Sequence, residues 1–300
     1  MTLPEQLISD KFRGQWGGKT ESGEEMWWSE PNPRIMQGRR SAILRFQNDV
    51  RQFFLLRFLR KATLGLNRPK VIDFGCGTGG LTLNFSRVLE CAIHGYDIFP
   101  TQIEIANSQA KKWGSPSQFF LLNEKGRFPL ESSSVDAIFS ADVLGHVPDI
   151  PAVLEDWRRV LKIGGAVALF TEASYSSSDQ SLMARLARNG LDMCAAVPEH
   201  ISLFPREKLE SMFAQAGFTV EERYSANLLH WWFFPKDYVL MFERAGRKCP
   251  VYWASWIWNR VSKLIPFYPQ PLEFLRLLLI RAFGKSAFGT GYFYFLRKIG

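Results

Sequence analysis

The sequence predicts an α/β fold, doubly wound about a mostly parallel seven-stranded sheet. Three observations predict it. Seven short strand-like runs recur between residues 70 and 298. Segments of helical period separate the earlier runs, as crossovers between parallel strands require. A glycine cluster, Gly75, Gly77, Gly79 and Gly80, follows the first run immediately. At 300 residues the chain can form one large domain, and no internal repeat points to a solenoid.

The elements follow in order. Residues 1–33, rich in Gly, Glu, Ser and Trp and ending in SEPNP, read as an irregular arm. From Arg34 to about Leu64, Ile43, Leu44, Phe46, Val50, Phe54, Leu55, Phe58 and Leu59 recur at helical spacing with arginines between them. That pattern predicts one amphipathic helix, and residues 1–67 are taken together as an N-terminal helical arm. KVIDF (70–74) is a strand, LTLNFSRVLE (81–90) a helix, AIHGYD (92–97) a strand and TQIEIANSQAKKW (101–113) a helix. QFFLL (118–122) and VDAIFSA (135–141) are the next strands. PAVLEDWRRVLK (151–162) is a helix stopped by Gly164 and Gly165, before the strand AVALFTEA (166–173). PREKLESMFAQAG (205–217) has proline at its start and glycine at its end, and the strand FTVEERYS (218–225) closes a core of residues 68–225. GYFYFLRK, within residues 291–300, is the final strand.

Charge is unevenly spread. Residues 1–225 hold 26 basic and 26 acidic side chains, whereas 226–300 hold 11 and 3, together with five of the ten tryptophans. Such asymmetry points to an anionic surface, membrane or nucleic acid. Residues 226–290 separate the sixth and seventh strands as an apolar, basic helical insertion. Its runs LLHWWFF, VYWASWIW and LEFLRLLLIRAF are broken by charge or proline before the about 18 residues a spanning helix needs. In the last of them Glu273, Arg276 and Arg281 share one side and leucines fill the rest, which suits a lid over a hydrophobic acceptor or a helix lying in a membrane interface; the alternative is an ordinary helical subdomain packed on the sheet. Cys76, Cys91, Cys194 and Cys249 form no C-x-x-C pair, so no metal site or disulfide framework is expected. The N-terminal MTLPEQLISDKFRGQW lacks the features of a signal peptide. A cytoplasmic protein, peripheral on the inner face of a membrane, is the expectation.

Glycines directly after a strand let the backbone turn sharply and approach a ligand, while the next helix aims its N–H groups at it. Gly75, Gly77 and Gly80 satisfy G-x-G-x-x-G, and Asp97 ends the second strand, as in a dinucleotide site. Asp73 changes the balance. A carboxylate beside a pyrophosphate is unfavourable, whereas one beside an ammonium or sulfonium is favourable.

VIDFGCGTGG, HGYDIFP, RFPLESSSVDAIFSADVLGHVPD, LEDWRRVLKIGGAVALFTEA and HISLFPREKLESMFAQAGFTVEE stand in that order. Together they resemble the class I S-adenosylmethionine-dependent methyltransferases of the small-molecule and lipid type, over about residues 68–225 plus the last strand. The resemblance implies a Rossmann-like sheet with its last strand antiparallel, and S-adenosylmethionine as cofactor. It implies a cofactor site of Asp73, Gly75, Cys76, Gly77, Gly79, Asp97, Ile98 and Ala141, with Asp97 on the ribose hydroxyls and Asn123 or Glu124 near the adenine. The chain departs from the pattern at Gly145-His146, where many relatives read E-H.

Methyl transfer is an in-line displacement, so alignment in a dry pocket is the main requirement. If the acceptor loses a proton, His146 and His200 are the candidate bases, on loops after strands. The alternative for each is a histidine that hydrogen-bonds loop backbone. Trp16, Trp27 and Trp28 either cap the acceptor pocket or simply pack, and Arg34, Arg39 and Arg40 either meet an anion or are solvated. The expected acceptor is a small, hydrophobic or lipid-like molecule. Two competing readings are an NAD(P)-dependent oxidoreductase and a non-catalytic or nucleic-acid-binding protein of this fold. Nucleic acid is the weaker partner, because ADVLGHVPD stands where base-methylating enzymes carry Asn/Asp-Pro-Pro-Tyr/Phe.

Overall fold

A computed structural model describes residues 27–123, 125–191, 200–226, 230–265 and 270–300. Among the described residues three helices precede the sheet: Pro33–Met36 (α1), Arg40–Asn48 (α2) and Val50–Thr63 (α3). The segment expected as one helix is thus broken twice. Gly38 adopts φ +74°, and a Cβ there would meet Arg87 Nη2 at 2.7 Å. Asp49 is extended, and its Oδ1 accepts the N–H groups of Arg51 (3.1 Å) and Gln52 (3.3 Å), capping α3.

Strands and helices then alternate: Val71–Phe74 (β1), Gly80–Leu89 (α4), Ile93–Asp97 (β2), Pro100–Trp113 (α5), Phe119–Leu121 (β3) and Val135–Ala141 (β4). Ile150–Val160 (α6), Leu161–Glu172 (β5), Leu182–Arg188 (α7), Arg206–Gln215 (α8) and Phe218–Ser225 (β6) follow. Among the described residues, His230–Phe233 (α9), Pro235–Arg244 (α10), Pro250–Ser262 (α11) and Gln270–Phe283 (α12) lead to Gly291–Lys298 (β7). The sheet order is β3-β2-β1-β4-β5-β7-β6. Strands β1 to β5 pair in parallel, and β7 enters antiparallel between β5 and β6, with Phe170 and Tyr224 both opposite Phe293. The mostly parallel seven-stranded sheet with an antiparallel last strand is therefore as the sequence predicts.

The largest boundary difference lies between α6 and β5. Helix α6 ends at Val160, and Leu161 already pairs with Val135. Gly164 and Gly165 lie inside β5, where the register shifts before Ala166 joins Ala137. Gly164 has φ +76°, so these glycines make a bulge in the strand and do not stop the helix.

Alternation along β7 builds both core layers, because successive side chains point to opposite faces. Phe293 and Phe295 face α3, where Phe54 stacks on Phe293 at 4.9 Å between centroids. Tyr292, Tyr294 and Leu296 face the other layer with Trp157 and Phe213. All four β1 residues are buried, as expected of a strand covered by helices on both faces. Helix α12 joins the α3 layer through Leu277 and Ile280, while α10 and α11 form a separate cluster around Phe242 and Tyr252. Among the described residues no helix is long and apolar enough to cross a membrane.

Candidate active site

β1 has β2 on one side and β4 on the other, so the chain leaves it in opposite directions. The carboxyl ends of β1 and β4 thus flank the crevice where open α/β sheets bind ligands. The glycine loop lies there. Gly75 and Cys76 N–H groups donate to Tyr96 O at 2.8 and 3.2 Å, and Gly77 N–H donates to Asp97 Oδ2 at 2.8 Å. Gly75 (φ +76°) admits no side chain, since a Cβ would stand 2.4 Å from Val143 Cγ2. Gly79 serves packing instead: a Cβ there would meet Phe119 Cζ at 2.7 Å and Ala106 Cβ at 2.9 Å.

A cavity of about 320 Å³ opens at this loop. Of the residues named from the sequence, Asp73, Gly75, Cys76, Gly77, Asp97, Ile98, Ala141 and His146 line it together. Gly79 lies outside the lining, and Glu124 lies outside the described residues. Asn123 is exposed, and its Oδ1 accepts the Lys125 and Arg127 N–H groups at 3.0 and 2.8 Å, holding a turn. Leu122 is the residue from this stretch that reaches the cavity.

Two buried carboxyls face this space. Burial pushes Asp73 up to about 8, against the Thr82 hydroxyl that donates to its Oδ2 at 2.6 Å, while nearby Asp97 adds to the rise. Asp97 is also raised by burial, against the N–H groups of Gly77 and Phe99. A cation favours the ionised form of Asp73 and ribose hydroxyls donate to Asp97, whereas a pyrophosphate beside the glycine loop raises Asp73 further. This pair of acceptors therefore fits a cationic, ribose-bearing cofactor better than a dinucleotide.

The arm closes one side. Trp27 N–H donates to Gln102 Oε1 (3.0 Å), Ser29 N–H to Thr78 Oγ1 (2.7 Å), and Gly80 N–H to Ser29 Oγ (3.0 Å). Ser29 thereby takes an N–H at the start of α4 that has no acceptor within the helix. Trp27 lies 4.7 Å from the His146 ring.

Arg51, Gln52 and Asp142 line this cavity and also a second chamber of about 600 Å³. Arg51 pairs with Asp142 and lies 5.0 Å over the Phe170 ring. Burial lowers Arg51 to about 10, opposed by Glu172 and Asp49. His200 stands in the chamber with its ring 4.7 Å from that of His146, so the two imidazoles connect the spaces. Glu172, last residue of β5, has a buried Oε2 with no hydrogen-bond partner among the described residues, and so does the Gln52 amide oxygen. Gly145 leaves room here: a Cβ on it would sit 3.4 Å from Glu172 Oε2 and 3.5 Å from His200 Cδ2. On the far wall Arg276 lies over the Phe233 and Phe234 rings at 5.4 and 5.1 Å and donates to Ala226 O at 2.7 Å. The exposed Arg34, Arg39 and Arg40 reach neither space.

The profile of a family described as a methyltransferase domain matches residues 40–223, more than half of the chain. The chain belongs to this methyltransferase domain family. A sterol 24-C-methyltransferase of Debaryomyces hansenii is 28% identical over 161 residues, 53% of this chain and 41% of the relative. One from Candida albicans is 27% identical over 154 residues, 51% of this chain and 40% of the relative. This methyltransferase domain protein thus spans about two fifths of the length of those curated relatives. Among solved structures, a putative sarcosine dimethylglycine methyltransferase from Galdieria sulphuraria aligns with TM-score 0.53 at 18% identity, covering 93% of this chain and 95% of that one. The [4+2]-cyclase SpnF aligns with TM-score 0.53 at 17% identity, covering 82% and 80%. At those identities the likeness is one of fold, and a fold hosts more than one chemistry.

The chamber residues Arg51, Gln52, Asp142, Phe170 and Glu172 were not singled out by the sequence pattern. A positional signal existed for two of them, because Asp142 directly follows β4 and Glu172 ends β5 at the ligand-binding edge.

Proposed function

We propose that this protein transfers a methyl group from S-adenosylmethionine to a small, lipid-like acceptor. The carrying observation is the connection of the glycine-loop cavity, through Arg51, Gln52 and Asp142, to a second chamber with its own charged and aromatic walls. A cofactor space opening onto a separate acceptor space is what an in-line displacement requires. The sterol methylation named for the curated relatives supports a lipid-like acceptor.

S-adenosylmethionine, when bound, supplies an electrophilic methyl group on a sulfonium. The protein does the rest. Asp97 accepts ribose hydroxyls, Asp73 faces the cationic end, and Gly75 and Gly77 let backbone come close. Trp27, Trp28 and Ile98 exclude water, which strengthens each polar contact inside. His146, His200 and Glu172 surround the passage between the spaces, and Glu172 takes the proton that a protic acceptor loses. The acceptor comes from the anionic inner face of a membrane, to which the basic tail is drawn.

Methyl-tritiated S-adenosylmethionine, incubated with the protein and a total lipid extract, tests this. Label is expected in the organic phase, dependent on the protein. Cofactor binding with no label passing to lipid, sterol or amine acceptors would sink the assignment of methyl transfer.

A further inference from the structure

Helix α12 turns Glu273 and Arg276 toward the protein beside the core residues Leu277 and Ile280, and turns Phe274, Leu275 and Leu278 toward solvent. Arg276 is only 7% exposed, and with Glu273 it lines the second chamber. Phe274 (56%) and Leu275 (47%) stand outside, with Leu278 (42%) one turn further along the helix. An ordinary surface helix is arranged the other way, with its charges toward water. The composition of LEFLRLLLIRAF points to a membrane interface or lid; in the fold Glu273 and Arg276 form part of the chamber wall, while Arg281, expected on the same side, is exposed.

Charge indicates what covers the outer face. Residues 226–300 carry 11 basic and 3 acidic side chains, and two of the three acids, Asp237 and Glu273, line the chamber. Arg281 and Lys285 remain exposed at the end of α12. Helix α2, packed beside α12, exposes Leu44 between the exposed Arg40 and Arg45. The same chemistry recurs on α11, where Trp253, Ile257, Val261 and, just beyond, Leu264 form an exposed ridge beside exposed Arg260 and Lys263. Apolar and indole groups bracketed by cations match an anionic bilayer, with acyl chains against the ridge and headgroups against the bases.

We propose that the outer face of α12 seats the protein on an anionic phospholipid surface, so that one helix has lipid on its outside and the acceptor chamber on its inside. The docking itself stands independently of the proposed reaction. The inference that acceptors enter past α12 rests on reading the second chamber as the acceptor site.

Sedimentation with vesicles tests it. The intact protein is expected to pellet at low salt with vesicles of phosphatidylcholine mixed with phosphatidylglycerol, and to stay in solution with phosphatidylcholine alone. Phe274→Glu/Leu278→Glu is expected to weaken vesicle binding at least tenfold, while Ile163→Glu, an exposed apolar site on the β5 bulge, leaves it unchanged. Circular dichroism and S-adenosylhomocysteine affinity are read on the same samples, so that misfolding or failure of the cofactor reading is seen separately. The proposal is overturned if the double variant binds vesicles as the parent does. It is equally overturned if the parent ignores anionic vesicles, including the case where it sediments as a dimer that the double variant breaks, since the face is then covered by a second copy of the chain.

Discussion

Asp97 Oδ2 accepts the Gly77 N–H at 2.8 Å, so the carboxyl ending the second strand holds the glycine loop that follows the first. One residue thus shapes the loop and presents its remaining lone pairs to the cavity. Asp97→Ala is expected to lower S-adenosylhomocysteine affinity at least tenfold by calorimetry, about the 1.4 kcal/mol that one charge-assisted hydrogen bond contributes. The far-ultraviolet circular dichroism should be retained. Unchanged affinity would remove the role given to Asp97.

Asp73 carries a pH signature. Its carboxyl is raised from an ordinary value near 3.8 to about 8, chiefly by burial, so the folded chain keeps a proton that the unfolded chain has released. Its contribution to stability is complete below pH 3.8 and is lost progressively as pH rises to about 8. Asp73→Asn should flatten the fall in unfolding free energy over that window by up to about 1.4 kcal/mol per pH unit. Denaturant melts of the ligand-free protein at several pH values check this, and parallel slopes for the two proteins would contradict it.

Gly75 and Gly77 differ in what surrounds them, and Gly75 has the more severe obstacle. Gly75→Ala places a Cβ 2.4 Å from Val143 Cγ2 at φ +76°, and should cost about 1–3 kcal/mol in urea unfolding. Val143→Ala in the same chain should recover part of that loss by removing the obstructing methyls. No recovery would mean that backbone strain alone accounts for the effect.

Glu172→Gln keeps the shape of the chamber and removes its unpartnered carboxyl oxygen. Label transfer should fall about 10²-fold, as for loss of a general base, with S-adenosylhomocysteine affinity unchanged. His146→Gln and His200→Gln are the controls. A larger loss in either histidine variant would move the proton-accepting role from Glu172 to that imidazole.

What the sequence made legible is what neighbouring residues encode. VIDFGCGTGG, with strand, acid, glycines and helix within about a dozen residues, announced the crevice, and Asp97 could be placed because it ends the next strand. Strands β4, β6 and β7 begin and end where their runs of apolar and aromatic residues do. The break at Asp49 was also encoded, since Asp49-Val50-Arg51-Gln52 has the spacing of a capping box, but it lies within an apolar period that reads as continuous helix. The second chamber was not legible because Arg51, Glu172 and Arg276 are brought together from α3, β5 and α12, and no local pattern links them. Arg276 was placed only on the charged side of its helix, with Glu273 and Arg281. It is held inward by the Phe233 and Phe234 rings and by its hydrogen bond to Ala226 O.

The glycine-loop cavity is proposed to hold S-adenosylmethionine. Isothermal calorimetry of the full chain with S-adenosylmethionine, S-adenosylhomocysteine and NADH, run side by side, addresses it most directly. Saturable binding of both sulfur compounds at one site per chain, with no heat from NADH, is the predicted result. Saturable binding of NADH with none of either sulfur compound would contradict it.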